Sequence, residues 1–132
     1  LSHRLAGLSY IALNRNEEAI ETFENLAKIS GKHQHSITGL IWAHCNNKNF
    51  EEARKLMDEL KRRSETEYIT PTYLGIAEAW LGDLDAAFDL FQKGYDDRDP
   101  NITQLKYSPY GPPALRNDSR FQSLLNKIGF PT

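Results

Sequence analysis

The chain has a single cysteine, Cys45, and therefore no internal disulfide. A reducing compartment is compatible with that, and a cytoplasmic location is the expectation. No apolar run approaches the roughly 18 residues of a membrane span, and no signal-peptide pattern is present. Neither sign of charge dominates: 16 basic residues stand against 18 acidic ones, for a formal net charge of −2. Such a surface creates no global field favouring nucleic acid or an anionic membrane. The one small basic run, Lys61–Arg63, falls at a helix C-terminus, where cations complement the dipole. No nucleic-acid partner and no membrane are therefore expected. With 132 residues the length suits one domain. The chain opens on Leu1 rather than methionine, which suggests a piece of a longer polypeptide.

What the sequence does have is a repeat. The small residue in "NEEAIETF", "FEEARKLM" and "LDAAFDLF" is Ala19, Ala53 and Ala87, a spacing of 34 residues each time. Four residues later comes a bulky apolar side chain, Phe23, Met57 or Phe91. Ala6-Gly7, Leu40-Ile41 and Leu74-Gly75 precede in the same register. Within a unit the period is helical: Ala53, Leu56, Met57 and Leu60 form one stripe, and Ala87, Leu90, Phe91 and Gly94 another. The opposite face is charged, with Glu51/Lys55, Asp58/Arg62 and Glu59/Arg63 spaced as acid-before-base pairs.

The turn inside each unit is equally legible. Gly82 suits the left-handed conformation that ends a helix, and Asp83 can cap the next. Asn14 and Asn49 lie near the same turn in the other units. Thr70 reads as an N-cap with Pro71 at the first helical position. These signals predict antiparallel helix pairs over 3–13 and 17–29, 35–46 and 50–63, and 71–81 and 84–95.

After these, residues 98–116 contain Pro100, Pro109, Pro112 and Pro113 and read as an ordered loop with one helical turn near Ile102–Leu105. A final helix over 117–129 follows, capped by Asn117 or Asp118 and stopped at Gly129. Its stripe of Phe121, Leu124, Leu125 and Ile128 fits a lid on the open end of a stack.

The pattern resembles the tetratricopeptide repeat family over about residues 1–97, in three copies near 1–33, 34–67 and 68–97. The match is best at Gly7, Tyr10, Ala19 and Phe23, and at Leu74, Gly75, Gly82, Ala87 and Phe91. In the middle copy Ile41 replaces the small residue and Lys48 the turn glycine. The family's last alanine becomes Leu26, Leu60 and Gly94, which implies looser or shifted packing there. The resemblance implies an all-α fold, a right-handed α-α superhelix (solenoid) of three hairpins with a C-terminal capping helix. The last 65 or so residues are similar to the C-terminal repeat region of multidomain bacterial signalling proteins, where repeats follow a kinase, nucleotide-cyclase or winged-helix domain.

The function implied is protein–protein interaction, as an adaptor or scaffold that binds a peptide or partner segment in a concave apolar groove. Carried over by position, the groove residues are Arg4, Leu8, Ile11 and Ala12; Thr38, Trp42, Cys45 and Asn46; and Thr72, Ile76, Ala79 and Trp80. Trp42 and Trp80 stand out, because tryptophan dominates many interfaces. The rings could instead be packed by the chain itself, or serve self-association as a homodimer. A spacer that positions an upstream catalytic or DNA-binding domain is the alternative function. The carboxylate clamp of some family members is not expected, since Arg4, Leu8 and Gly39 occupy its positions.

No cofactor, metal or catalytic role is expected. His33 and His35 are two apart and His44 and Cys45 adjacent, a poor spacing for metal ligation on helices. His44 and Glu78 occupy equivalent repeat positions and are expected to satisfy each other at a helix seam, which would raise the histidine pKa. No nucleophile accompanies them.

Overall fold

Each helix pair in this chain is closed by the same backbone turn, and the turn recurs with the 34-residue period read from the sequence. Asn14, Lys48 and Gly82 are in the left-handed region, with φ of 62°, 62° and 94°. In a computed structural model that describes residues 3–31, 34–103, 105 and 112–129 (backbone only at 3–5, 8 and 35), each turn is locked alike. The N–H groups of Asn14 and Arg15 bond the carbonyls of Ile11 and Tyr10 at 3.0 and 2.8 Å. Those of Lys48 and Asn49 bond Cys45 and His44 at 3.0 and 2.7 Å, and those of Gly82 and Asp83 bond Ala79 and Glu78 at 3.1 and 2.9 Å. Such bonds satisfy carbonyls that a helix end leaves open. The Asp83 carboxylate then accepts from the Ala86 N–H at 3.0 Å, as its capping role requires.

The helices are α1 (His3–Ala12), α2 (Asn16–Ser30), α3 (Gln34–Asn46), α4 (Phe50–Arg63), α5 (Pro71–Trp80) and α6 (Leu84–Asp96). A short 3-10 helix (Pro100–Thr103) follows, then α7 (Pro113–Asn117) and α8 (Ser119–Ile128). No strand occurs among the described residues. The chain divides into two compact units, Leu1–Ile69 and Thr70–Thr132, so the third hairpin clusters with the C-terminal segment.

In the first unit α1 pairs with α2, α3 with α4, and α3 packs on both α1 and α2. The contact that sets these distances is a ring between two glycines. A Cβ added at Gly7 would lie 2.6 Å from Phe23 Cε2, and one added at Gly39 would approach the same ring closer still. Phe23 on α2 thus fills a slot cut into α1 and α3, beside the fully buried Ala19. In the middle repeat Ile41 and Met57 stand at the positions of Gly7 and Phe23, and both are buried. The larger residue on one helix accompanies a slimmer, flexible one on the other, an exchange that cores tolerate.

In the second unit Gly75 and Phe91 restore the glycine–ring contact, at 2.5 Å from a built Cβ. Here the buried Asp99 ties the unit together. Its carboxylate accepts from the hydroxyl and N–H of Thr72 at 2.7 and 3.3 Å, and from the N–H and side-chain amide of Asn101 at 3.0 and 3.1 Å. One side chain therefore caps the first turn of α5 and the start of the 3-10 helix. Thr70 occupies the N-cap position of α5, but its side chain makes no cap bond. Gly94, where the family has alanine, leaves room for this arrangement, since its Cβ would meet Thr72 Oγ1 at 3.1 Å. Ile102 and Leu105 are buried, as the turn expected near Ile102–Leu105 requires. Asp118 caps α8 through the Arg120 N–H at 2.9 Å, and Gly129 ends it with φ of 77°.

Two local expectations are corrected. Within the segment 98–116, Pro113–Asn117 is helical, because Pro113 sits at the first helical position where its missing N–H costs nothing. On α4, Lys55 bonds Glu52 at 3.4 Å rather than Glu51, and Arg63 turns forward to Glu67 rather than back to Glu59.

A lysine in the left-handed region carries strain that glycine does not. Lys48→Gly is expected to stabilise the first unit by about 0.5–1 kcal/mol, the steric gain less glycine's extra unfolded entropy. Urea unfolding followed by the fluorescence of Trp42, the unit's sole tryptophan, measures it. Asp99→Ala leaves buried Thr72 donors without their acceptor and is expected to cost the second unit about 3 kcal/mol, read from Trp80 fluorescence.

Candidate functional site

The residues assigned to a groove lie on α1, α3 and α5. The side chains of Arg4 and Leu8 fall outside the described residues. Ile11 is buried and Ala12 exposed. On α3, Thr38, Trp42 and Cys45 are buried and Asn46 is half-buried; on α5, Thr72, Ile76 and Ala79 are buried and Trp80 is half-buried. Burial on α3 is continuous from Ser36 to Ala43, and on α5 from Pro71 to Ala79. Both helices are enclosed around their whole circumference. The open trough expected at Trp42 is therefore corrected: its side chain is core, with 3% of the residue exposed. The signal was present in composition, since "TGLIWAHC" and "TYLGIAEAW" lack the polar stripe that a surface helix carries, and a helix apolar on all sides is buried.

The polar members of the set are committed to structure. Thr38 donates to the Gln34 carbonyl at 3.0 Å, and Thr72 to Asp99. Asn46 donates to Asn14 Oδ1 at 3.0 Å and also bonds Asn16 Oδ1. Asn16 returns a bond to Asn47 Oδ1 at 3.4 Å. This asparagine ladder stitches the turns of the first two hairpins, and sequence reasoning missed it. Its trace is the asparagine clustering at 14, 16, 46 and 47.

Cys45 is a free, buried thiol. Burial pushes its thiol up to about 12, against a weak opposing pull from Arg54, so little thiolate exists to ligate or attack. His33 lies outside the described residues, as does the side chain of His35. His44 differs from expectation. Burial depresses its pKa below the usual 6.5, and the nearby Glu52 and Glu24 offset this only in part. Its Nδ1 sits 3.4 Å from Asn49 Nδ2. The raised value expected from Glu78 is thus overturned by desolvation. Because the folded state resists protonation more than the unfolded chain, the His44 contribution is complete above pH 6.5 and is lost as pH falls below it. His44→Gln should remove that part of the acid destabilisation in urea titrations of the first unit between about pH 7 and 5.

The described residues line two surface clefts of about 240 Å³ each. One lies between α6 and α8 and is lined by Phe88, Gln92, Arg120, Ser123, Leu124 and Lys127. Its cations are already engaged. Arg120 stacks 4.5 Å from the Phe88 ring and bonds Asp85 and Asp118 at 2.8 and 3.0 Å. Those bonds raise its pKa, and Arg120 in turn holds the Asp118 carboxyl below its usual range. Lys127 lies over Tyr95 and donates to Gln92 at 2.6 Å. The other cleft, between α2, α3 and α4, has an apolar floor of Ala27, Ile37, Leu40 and Leu56, with Glu24, Lys28 and Glu59 at its rim.

Among the described residues no group of three or more histidine, cysteine or acidic side chains is placed to hold a metal, and no helix is long and apolar enough to cross a membrane. The geometry is that of a helical repeat whose chemistry is packing and surface charge. Residues 10–68 match the family model for the tetratricopeptide repeat, so this stretch, from the end of α1 to just beyond α4, is a tetratricopeptide-repeat region. No curated protein and no solved structure matches the chain. Tetratricopeptide repeats in general mediate protein–protein interaction and are typically non-catalytic.

Proposed function

We propose that this chain is the protein-binding part of a larger bacterial regulatory protein, acting as an adaptor that engages a peptide or partner segment without making or breaking bonds. The observation that carries the reading is the tetratricopeptide-repeat match over residues 10–68. The likeness of the last 65 or so residues to the repeat regions of signalling proteins supports the regulatory setting. Of the groove residues with described side chains, most are core. The half-buried Trp80 is the large aromatic one that still reaches solvent, and it is the anchor we assign to the partner contact.

The two tryptophans should behave differently. Trp42→Ala removes a buried ring and is expected to destabilise its unit by about 3–5 kcal/mol. Trp80→Ala is expected to leave the circular dichroism melt within about 2 °C of the parent while weakening partner capture about tenfold or more, as loss of an interface tryptophan does. Trp80→p-benzoylphenylalanine, irradiated in bacterial cells, should yield a covalent adduct with a second protein. Adducts with copies of the same chain alone, together with concentration-dependent sedimentation, would overturn the adaptor reading in favour of self-association.

A further inference from the structure

The α2–α3–α4 cleft has three charged side chains in its lining, Glu24, Lys28 and Glu59. Glu24 and Glu59 stand at the rim of an apolar floor, and neither makes a hydrogen bond or ion pair with a described residue. On the same two helices Glu18 pairs with Arg15 and Glu52 with Lys55, both away from the cleft lining. Lys28 is the one cation in the lining, against two carboxylates.

Size and chemistry together define what fits. A cleft of about 240 Å³ is smaller than the roughly 300–1,000 Å³ of small-molecule sites, and suits one or two side chains. Ala27, Ile37, Leu40 and Leu56 offer only apolar contact, so the inserted group is apolar. Carboxylates beside such a floor gain strength when a cation is brought to them as water leaves.

We propose that the α2–α3–α4 cleft docks a protein partner that inserts one large apolar side chain and presents a lysine or arginine on each side of it, to Glu24 and Glu59. This rests on the protein-binding reading above but places recognition in the unit that does not contain Trp80. All its lining residues belong to the first unit, whereas Trp80 belongs to the second.

The test uses the full chain and two synthetic helical peptides. In one, a central leucine is flanked by lysines one turn to either side; in its twin, glutamates replace the lysines. Methyl NMR of Ile37, Leu40 and Leu56 should show saturable shifts with the lysine peptide and at least about tenfold weaker binding of the twin. The double variant Glu24→Lys/Glu59→Lys should invert that preference, and Leu56→Gln should weaken both peptides. Absence of methyl shifts at millimolar peptide, or equal affinity for the two peptides, would overturn the proposal. So would methyl shifts that grow with protein concentration before any peptide is added, since a second copy would then be the occupant. If the Trp80 adduct forms in cells while neither peptide shifts the methyls, or both bind equally, the adaptor reading stands and the cleft assignment fails. If the adduct is absent while the peptides discriminate as described, the reverse holds.

Discussion

The fold depends on aromatic rings meeting bare backbone. Phe23 presses against Gly7 and Gly39, and Phe91 against Gly75, at separations where any Cβ would collide. Protein interiors are packed nearly as densely as organic crystals, so such a contact fixes the spacing of the helices that carry it. The fully buried Ala19 and Ala87 lie one turn before each ring and keep the helix pairs equally close. The turns at Asn14, Lys48 and Gly82 then only have to reverse the chain at a set place. That Lys48 accepts a left-handed backbone shows packing prevailing over local preference.

Much of this was legible in the sequence for a local reason. Helix starts and stops are written within a few residues: Pro71 opens α5, Asp83 caps α6, and Gly82 and Gly129 end helices in the expected conformation. What escaped depends on residues far apart in the chain. Asp99 reaches Thr72 across 27 positions, and Asn46 reaches Asn14 across 32. No periodicity encodes either bond. The groove assignment failed at Trp42 for a different reason. Position within a repeat indicates which way a side chain points, but not whether another layer covers it. The lack of a polar stripe on α3 carried that information.

Burial holds the thiol of Cys45 protonated and lowers the pKa of the His44 imidazole. Threonines that a groove would offer to a ligand are spent on Gln34 and Asp99. The two features proposed here for recognition both reach water: the half-buried indole of Trp80, and the rim carboxylates of the α2–α3–α4 cleft. Each of the two compact units has one of these.

The turn after α6 repeats the motif that closes each hairpin. Arg98 is left-handed with φ of 57°, and the N–H groups of Arg98 and Asp99 bond Tyr95 and Gly94 at 3.2 and 2.8 Å. That turn delivers Asp99 to the start of α5. The third hairpin consequently borrows its cap from beyond its own boundary. Repeat proteins grow and shrink by gene duplication and excision of whole cassettes, yet a cassette cut at residue 97 would leave its closing clasp behind. The structural block at this end of the chain is therefore longer than the period that defines it.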